Sequence, residues 1–396
     1  MANKTAVNGN GHSKMDRLKA SIASINKKYG PNTVNLASNA IDALEKRVIP
    51  TPSLELNNAL YGGFCGIVEL FGNNQSGKTS LAIETIVENQ NKDPEFIAGW
   101  LETEGSVDRK ILENHGVDMD RLVYWRQEDL GNAENAMDVA RGFLADGIID
   151  LLIVNSVAGL APKTELETDI EKANIALVAR LMSKFFRVAN GFISKNKITV
   201  IFINQVRDNV GVMFGDPATT TGGKALSFYA HQRIRMSQLK VQASDPINAS
   251  EGVKIGNKVK KNRNAGINNP YTECEYYALF NGGIDSTINM PVLLSEKGIM
   301  TVRGAHWYYL DDNDNTITID GIEGHFGSKK EFVNVLRTNE AWRNELTNRL
   351  NGITSYQSVE EVEETIKEQD NIEAMFANIE TEDESILEDN GMEEDN

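Results

Sequence analysis

The stretch IVELFGNNQSGKTSLAIETI, residues 67–86, decides the fold of this 396-residue chain. Its centre, GNNQSGKTS at residues 72–80, has the spacing G-x-x-x-x-G-K-T. The apolar run before this centre predicts a strand and the pattern after it predicts a helix, which is the order that a phosphate-binding loop requires. A glycine-rich turn without a ligand is the alternative, and the flanking strand and helix argue against it.

The residue types of this loop suit the phosphate chain of a nucleotide. Backbone N–H groups and the N-terminus of the following helix can face the phosphates, and the glycines allow a close approach. We expect Lys78 to reach the terminal phosphates and the Thr79 hydroxyl to bind Mg²⁺. The predicted cofactors are ATP and Mg²⁺, and the predicted nucleotide contacts of the loop are Gly72, Asn73, Asn74, Gln75, Ser76, Gly77, Lys78, Thr79 and Ser80.

Apolar runs alternate with helical patterns from Ser53 onward. Strands are predicted at 67–71, 97–101, 122–125, 151–154 and 199–203, and helices at 79–89, 108–115, 133–145 and 175–188. This alternation predicts an α/β fold with a mainly parallel sheet and helices on both of its faces. A second strand-rich block, residues 230–294, is assigned to the same core.

Composition divides the chain into four parts. Residues 1–52 hold an amphipathic helix, MDRLKASIASINKKY, whose apolar stripe must pack on the chain's own core or on a neighbouring subunit. Residues 53–285 form the P-loop core, and residues 286–352 form a further part that includes a compact helical piece. Residues 353–396 form an acidic tail with few aromatic side chains, which is expected to be disordered.

The net charge of −17 is concentrated in that tail. Residues 353–396 contain 16 Asp and Glu and one Lys, so the remaining 352 residues carry a net charge of only −2. The body can therefore carry basic surfaces of the kind that nucleic acid requires. Apolar runs are too short for a membrane span, and Cys65 and Cys274 form no disulfide framework, so a cytoplasmic location is expected.

Acidic side chains follow the second predicted strand, in the segment LETEGSVD. Glu102, Glu104 and Asp108 stand at the carboxyl end of that strand, where open α/β sheets place their ligands. A carboxylate there can polarise a water molecule for attack on the terminal phosphate. A solvated acidic loop without a catalytic role is the alternative. The pattern favours Glu104 only weakly over Glu102 as the residue that activates water.

The segment NQVRDNVGVMFGDPATTTGGKALSFYA begins at Asn204, directly after a predicted strand. About 20 residues pass before a helix can restart, and loops of that length are usually functional or disordered. Apolar side chains, hydroxyl groups, free backbone N–H groups and basic residues occur together in it. This content suits a polyanion with bases that can stack, and a substrate lid is the alternative.

At this point the sequence resembles the RecA-type homologous recombinases of bacteria and phages. The resemblance rests on IVELFGNNQSGKTSLAIETI, LETEGSVD, LLIVNSVAGLAPKTELE and IFINQVRDNVGVMFGDPATTTGGKALSFYA, and it extends from residue 15 to residue 350. The last segment is similar to the second DNA-binding loop of that family. The resemblance implies a DNA-dependent ATPase that forms helical filaments on single-stranded DNA. Such a protein searches duplex DNA for homology and exchanges strands in recombination and repair. The resemblance further implies that residues 286–352 are a small C-terminal α+β domain that gathers duplex DNA.

The resemblance also implies roles for single residues. Glu104 takes the position of the glutamate that activates water, and Gln205 that of the γ-phosphate sensor that couples ATP to the DNA loops. Lys261 and Arg263, in KKNRN, take positions that reach ATP across the subunit interface. Asp108 falls near the adenine. The implied catalytic residues are Glu104, Lys78 and Gln205.

Two loops and one subunit contact follow from the same resemblance. ELETDIEKANIALVAR, residues 165–180, takes the place of the first DNA loop. Ile175 and Val210 fall where the family inserts apolar side chains between bases, although core packing explains such residues equally well. Phe228 falls at a subunit contact. The implied DNA contacts are Ile175, Arg180, Arg207, Val210, Phe214, Thr219, Thr220, Thr221, Gly222, Gly223 and Lys224.

The chain departs from the family pattern at three positions. Asn155 replaces an aspartate, Asn209 stands where a lysine is usual, and Ile111 stands where a tyrosine stacks on adenine. The amide of Asn155 keeps an acceptor for a water on the Mg²⁺ that Thr79 binds, but it lacks the negative charge. We therefore expect ATP hydrolysis to persist at a reduced rate.

Further partners and rival functions complete the prediction. The expected partners are single-stranded and double-stranded DNA, further copies of the chain, a single-strand-binding protein and loading mediators. No membrane is expected among the partners. The expected location is the cytoplasm of a bacterial cell or of a phage-infected host.

The acidic tail is expected to compete with DNA for a basic C-terminal surface, or else to serve solubility alone. A ring-shaped helicase, a DNA-binding scaffold without hydrolysis and a metabolic kinase with a lid are the alternatives.

Overall fold

The computed structural model describes residues 13–39, 46–168, 176–208, 218–243, 245–264 and 273–350. The chain divides into two compact units, of which the first ends at Ser286 and the second begins at Thr287. The helices of the first unit are α1 (Lys14–Tyr29), α2 (Leu54–Leu60), α3 (Lys78–Lys92), α4 (Arg109–Asn114), α5 (Gln127–Leu130), α6 (Ala133–Asp146), α7 (Lys163–Leu166), α8 (Leu177–Lys195) and α9 (Gly223–Tyr229). Its strands are β1 (Ile67–Gly72), β2 (Ala98–Glu102), β3 (Leu122–Arg126), β4 (Leu151–Asn155), β5 (Thr199–Asp208), β6 (Ala218–Thr220), β7 (Gln232–Leu239), β8 (Gly252–Asn262), β9 (Glu273–Leu279) and β10 (Gly283–Ile284).

One sheet organises the first unit, in the strand order β10-β9-β8-β7-β1-β5-β4-β2-β3, with β6 paired to β5. The strands from β7 to β3 in this order are parallel, whereas β8, β9 and β10 extend the sheet with antiparallel pairings. The predicted mainly parallel α/β fold is confirmed. The strands of the second strand-rich block lie in the same sheet as far as Ile284, because β8 pairs with β7 along its length. Residues 287–294, which were assigned to the same core, belong instead to the second unit.

Both faces of the sheet are buried under helices. Side chains of a strand alternate between the faces, so Ile201 and Ile203 of β5 join one apolar cluster with α2 and α3. Val200 and Phe202 join the other cluster, with α6 and α8. Because both faces of the sheet are buried, the sequences of the central strands are continuous apolar runs.

Helix α1 begins with a capping box, in which Ser13 and Asp16 bond to each other's backbone N–H groups. It ends at Gly30, whose φ of 114° suits glycine. Within the described chain its apolar side chains stay unburied, and Met15 and Leu18 are exposed. The described part of the chain's own core therefore does not cover the stripe.

Several predicted boundaries differ from the observed ones, and the largest differences are at β5 and at α8, which ends at Lys195 instead of residue 188. The strand expected to end at 203 continues as β5 to Asp208, because residues 206–208 form an antiparallel ladder with β6. The long segment after Asn204 therefore begins as one arm of a hairpin. The helix expected from residue 175 begins at Leu177 among the described residues, and Ile175 lies outside them.

The second unit is a small α+β structure. It contains α10 (Met290–Glu296), β11 (Thr301–Arg303), β12 (His306–Tyr308), β13 (Thr318–Ile319), β14 (Ile322–Glu323), β15 (His325–Phe326), α11 (Lys329–Thr338) and α12 (Glu340–Leu350). Phe326, Phe332 and Trp342 are completely or almost completely buried and pack ring against ring in its core. The predicted acidic tail, residues 353–396, lies outside the described residues. Among the described helices, none has the length and apolar character that a bilayer crossing needs.

Candidate nucleotide and DNA site

The phosphate-binding loop connects the end of β1 with the start of α3, at the carboxyl edge of the parallel strands. Gly77 precedes the helix with a left-handed φ of 82°, and a Cβ atom at Gly72 would lie 2.1 Å from the carbonyl oxygen of Met236. Both glycines are therefore required by the backbone. The arrangement leaves the free N–H groups of the first turn of α3 available to an anion.

Lys78 is the buried cation of this loop. Its Nζ atom donates to the carbonyl oxygens of Gly72 at 3.1 Å and Asn73 at 2.7 Å, and to Oγ of Ser76 at 3.1 Å. Burial lowers the pKa of Lys78, and the nearby carboxylate of Glu104 opposes that effect. The ammonium group is thus held by the loop and lies within the electric field of the Glu104 carboxylate.

The structure separates the two candidate glutamates. Glu102 is completely buried, and its carboxylate accepts from Trp100 Nε1 at 3.0 Å and from Asn155 Nδ2 at 2.9 Å. It also accepts the backbone N–H groups of Glu104 at 2.9 Å and Ser106 at 3.3 Å. Four donors satisfy this carboxylate, so Glu102 shapes the turn and has no oxygen left for a water molecule.

Glu104 projects at the surface beside the loop. Its Oε1 atom accepts from the Ser156 hydroxyl and from Gln205 Nε2, the latter at 3.2 Å. Ser156 is itself fixed, because its backbone N–H donates to Thr103 Oγ1 at 2.9 Å and its carbonyl accepts from the same hydroxyl at 2.8 Å. One carboxylate therefore connects the ends of β2 and β4 with Gln205 of β5, where a terminal phosphate is expected.

Asn155 ends β4 and is completely buried. Its Nδ2 atom donates to Glu102 and, at 3.1 Å, to the hydroxyl of Ser106. Among the described residues, no group donates to its buried Oδ1 atom. The amide is thus a donor on one side and an unused acceptor on the other.

These residues fit a magnesium ion that is held mainly by phosphates. The unused Oδ1 of Asn155 can accept from a water on the metal, and Thr79 lies in the first turn of α3. In the described part of the chain, no three His, Cys, Asp or Glu side chains cluster to hold an ion by themselves. Mg²⁺ commonly keeps its waters and relies on substrate phosphates, which agrees with this donor set.

A cavity of about 1240 Å³ opens beside the loop. Its lining includes Gln75, Gly77, Ile111, Gln238 and Phe280. Ile111 thus lines this cavity, and the adenine position that the resemblance implies for it stays a prediction.

Asp108, assigned to the adenine by resemblance, does not line this cavity. Its carboxylate accepts the backbone N–H of Ile111 at 2.8 Å and caps α4. The described contacts of Asp108 are thus those of an N-cap.

The predicted DNA contacts fall into three groups. Ile175, Val210 and Phe214 lie outside the described residues, as does Asn209. Arg207 and Thr219 pair with each other in the backbone ladder of β5 and β6, and their side chains are not described. The remaining predicted contacts lie in the first turn of α8, in the first turn of α9 or directly before α9: Arg180, Thr220, Thr221, Gly222, Gly223 and Lys224.

Gly222 and Gly223, at the start of α9, have little space around their Cα atoms. Gly222 and Gly223 have φ values of 90° and 70°, and a Cβ atom at Gly222 would lie 2.9 Å from Val157 Cγ1. A Cβ atom at Gly223 would lie 2.8 Å from the Cβ of Ala179 in α8. The packing of α9 on α8 therefore explains these glycines. Arg180 and Lys224 are exposed on either side of this junction.

Lys261 and Arg263 lie at the other end of the sheet from the phosphate loop. Lys261 is opposite Arg233 at the start of β7, whereas the loop follows the opposite end of β1. Lys261 donates to the carbonyls of Ser227 at 2.9 Å and Phe228 at 3.0 Å, and Arg263 donates to Phe228 at 2.8 Å. The Phe228 ring is 70 % exposed, so this corner presents two cations beside an uncovered aromatic side chain.

Sequence reasoning missed two polar residues of this site. Ser156 bonds to Glu104, and its position directly after β4 was the signal that could have identified it. Asn204 is buried next to Gln205 and bonds to Glu69 of β1. No local pattern marks that contact, because the two residues are 135 positions apart.

Comparison with known proteins adds independent information. Residues 16–285 match the family model of the RecA N-terminal domain. The chain is 38 % identical over 307 residues to Protein RecA of Bacteroides thetaiotaomicron, with 76 % of this chain and 88 % of that protein covered. It is 33 % identical over 355 residues to Protein RecA of Thermotoga sp. (strain RQ2), with 88 % and 94 % covered. Among solved structures, the crystal structure of the RadB recombinase matches 60 % of this chain and 98 % of its own, at 19 % identity and a TM-score of 0.44.

Proposed function

This chain belongs to the RecA family of DNA recombinases, and we propose that it assembles with ATP and Mg²⁺ as a helical filament on single-stranded DNA. In that state it pairs with homologous duplex DNA and exchanges strands. The observation that carries the proposal is the hydrogen bond between Gln205 Nε2 and Glu104 at 3.2 Å. Gln205 belongs to β5, which continues into the hairpin that resembles the second DNA loop. A displacement of Gln205 at the phosphate site is therefore passed to that loop along the backbone of β5.

The residues around the loop suit the hydrolysis of a terminal phosphate. The free N–H groups of α3 and the Lys78 ammonium would bind the phosphate chain, and Thr79 would hold the metal together with Asn155 through water. Bound Mg²⁺ supplies positive charge to the phosphate oxygens. Glu104 orients the attacking water and accepts its proton, while Ser156 and Gln205 hold the carboxylate in place.

Asn155 tunes this reaction. Its unused Oδ1 accepts from a metal-bound water, but the amide adds no negative charge to the metal site. Hydrolysis therefore continues at a lower rate than an aspartate at the same position would support.

Assembly involves the corner formed by Phe228, Lys261 and Arg263. The two cations lie away from the phosphate loop of their own subunit, so the nucleotide that they contact belongs to a neighbouring subunit. The exposed apolar stripe of α1 packs on a neighbour in the same filament. A single-strand-binding protein and loading mediators assist assembly in the cytoplasm of a bacterium or of a phage-infected host.

The decisive experiment measures ATP hydrolysis with and without single-stranded DNA at several Mg²⁺ concentrations, together with electron microscopy. Stimulation by DNA and helical filaments are the expected results. Closed rings would favour a helicase, and turnover that ignores DNA would favour a kinase. Binding of DNA and ATP without turnover would instead indicate a scaffold.

A further inference from the structure

The side chain of Asn204 is completely buried and bonds to three separate parts of the first unit. Its Nδ2 atom donates to Oε1 of Glu69 in β1 at 3.0 Å and to the carbonyl oxygen of Thr221 at 2.8 Å. Its Oδ1 atom accepts the backbone N–H of Gln205 at 2.9 Å. One amide thus connects the central strand, the end of the β5–β6 hairpin and the residue that bonds to Glu104.

The connection continues through Glu69 to the opposite end of the sheet. Glu69 is completely buried, and its second oxygen accepts from Nε of Arg233 at 2.5 Å. Arg233 stands opposite Lys261 in the ladder of β7 and β8. Burial, together with the charges of Arg263 and Arg233, lowers the pKa of Lys261, and Glu69 opposes this effect. The cations at the Phe228 corner are therefore within the field of the same buried carboxylate.

The partners of Asn204 allow little independent movement. Two of its three bonds are to backbone groups, and the third is to a carboxylate that is already paired. Directly beyond Thr221, Gly222 packs against Val157, which follows the serine that holds Glu104. If Gln205 shifts, Thr221 must shift with it or a buried polar group loses its partner, which is costly in the interior of a protein.

We infer that Asn204 is a positioning residue that couples Gln205 at the phosphate site to Thr221 at the far end of the second DNA loop. This inference rests on the proposed function, since coupling has meaning only if ATP turnover responds to DNA. Asn204 is completely buried, so it acts through Gln205 and Thr221 and not by its own contact with nucleotide or DNA. Its amide links the two ends of the hairpin, so that both ends respond together to the terminal phosphate.

The test compares Asn204→Ala with the unaltered protein. The measured quantity is the ratio of ATP turnover with single-stranded DNA to turnover without it. We expect this ratio to fall by at least about 5-fold, the lower range of allosteric coupling, while the KM for ATP without DNA changes by less than about 2-fold. A double variant with Gln205→Ala should show the same ratio as Gln205→Ala alone, because Asn204 acts through Gln205.

Asn89→Ala provides a matched control. Asn89 is also buried, and its Nδ2 atom donates to the carbonyls of Pro50 at 2.9 Å and Thr85 at 2.7 Å. Its loss removes the same number of amide donor bonds on α3, away from the hairpin. We expect a comparable loss of resistance to urea with an unchanged ratio.

Two results would separate the possible failures. If the unaltered protein is stimulated by DNA and Asn204→Ala keeps the full ratio, the inference is wrong and the proposed function stands. If the unaltered protein shows no stimulation, both are wrong. Should Asn204→Ala fail to fold, hydrogen exchange of the unaltered protein decides the question. Binding of a non-hydrolysable ATP analogue should slow exchange at residues 203–206 and 219–222 together, and slowing at 203–206 alone would overturn the inference.

Discussion

The side-chain amide of Asn155 donates to a carboxylate oxygen of Glu102 at 2.9 Å, and both residues are completely buried. An aspartate at this position would bring two carboxylates to the same distance in the protein interior. Like charges so close cannot both ionise without a large cost. The amide at position 155 is therefore the form that suits Glu102, even though it removes a charge from the metal site.

Asn155→Asp is expected to lower the free energy of unfolding by about 3 kcal/mol, because it replaces a buried hydrogen bond with a repulsive pair. Urea unfolding at neutral pH measures this loss. The double variant Glu102→Gln/Asn155→Asp should recover part of it, since the amide introduced by Glu102→Gln can donate to the new carboxylate. Equal urea midpoints for Asn155→Asp and the unaltered protein would show that the amide is not needed for Glu102.

The same pair allows the proposed effect on hydrolysis to be tested without the repulsion. Glu102→Gln/Asn155→Asp carries the missing charge, and Glu102→Gln alone is its matched control. We expect the double variant to reach half of its maximal ATP turnover at a lower Mg²⁺ concentration than the control, because a carboxylate attracts the hydrated ion more strongly than an amide. Identical Mg²⁺ curves would contradict a tuning role for Asn155.

Glu104→Gln is expected to reduce ATP turnover by at least about 100-fold while it leaves the free energy of unfolding within about 0.5 kcal/mol. The amide keeps the size of the side chain and an acceptor for Ser156 and Gln205, but it cannot accept a proton. Glu128→Gln, also at an exposed position, should leave both quantities unchanged. Turnover within a few-fold of the unaltered protein would assign the proton transfer to another group.

The contrast between Glu102 and Glu104 shows that local sequence patterns predict the sheet but not the side-chain contacts between distant residues. The P-loop and the alternation of strands and helices predicted the sheet, because both are local signals with a fixed period. The choice between two acids at the end of β2 depends on donors from Trp100 and Asn155, and the second of these lies 53 positions away. The extension of β5 to Asp208 was missed for a similar reason, since it depends on pairing with β6 across the loop.

Phe228→Ala is expected to weaken self-association and leave the folded subunit intact. The ring is 70 % exposed, so its removal creates no cavity in the described core. Sedimentation with ATP and single-stranded DNA should show shorter assemblies at equal protein concentration, with an unchanged urea midpoint. Tyr61→Ala, which removes another exposed ring at a distant turn, is the control. Unchanged assembly of Phe228→Ala would place the subunit contact elsewhere.

His231 makes stability depend on pH, because its imidazole is partly buried at the start of β7. Its Nδ1 atom accepts the backbone N–H of Ile67 at 3.1 Å. Burial, followed by the charges of Lys46, Arg263 and Lys261, lowers the pKa of His231 from 6.5 to about 4. Since the unfolded chain binds this proton more readily, the stability is complete above about pH 6.5 and is lost as the pH falls towards 4.

His231→Asn tests this dependence, because the asparagine oxygen can replace Nδ1 as the acceptor from Ile67 but does not titrate. The urea midpoint of the unaltered protein should fall more steeply between about pH 7.5 and about pH 5 than that of the variant. All other titrating groups are common to both proteins, so the difference between the two slopes isolates His231. Parallel pH curves would mean that the imidazole is protonated in the folded state, with Ile67 bonded to another acceptor.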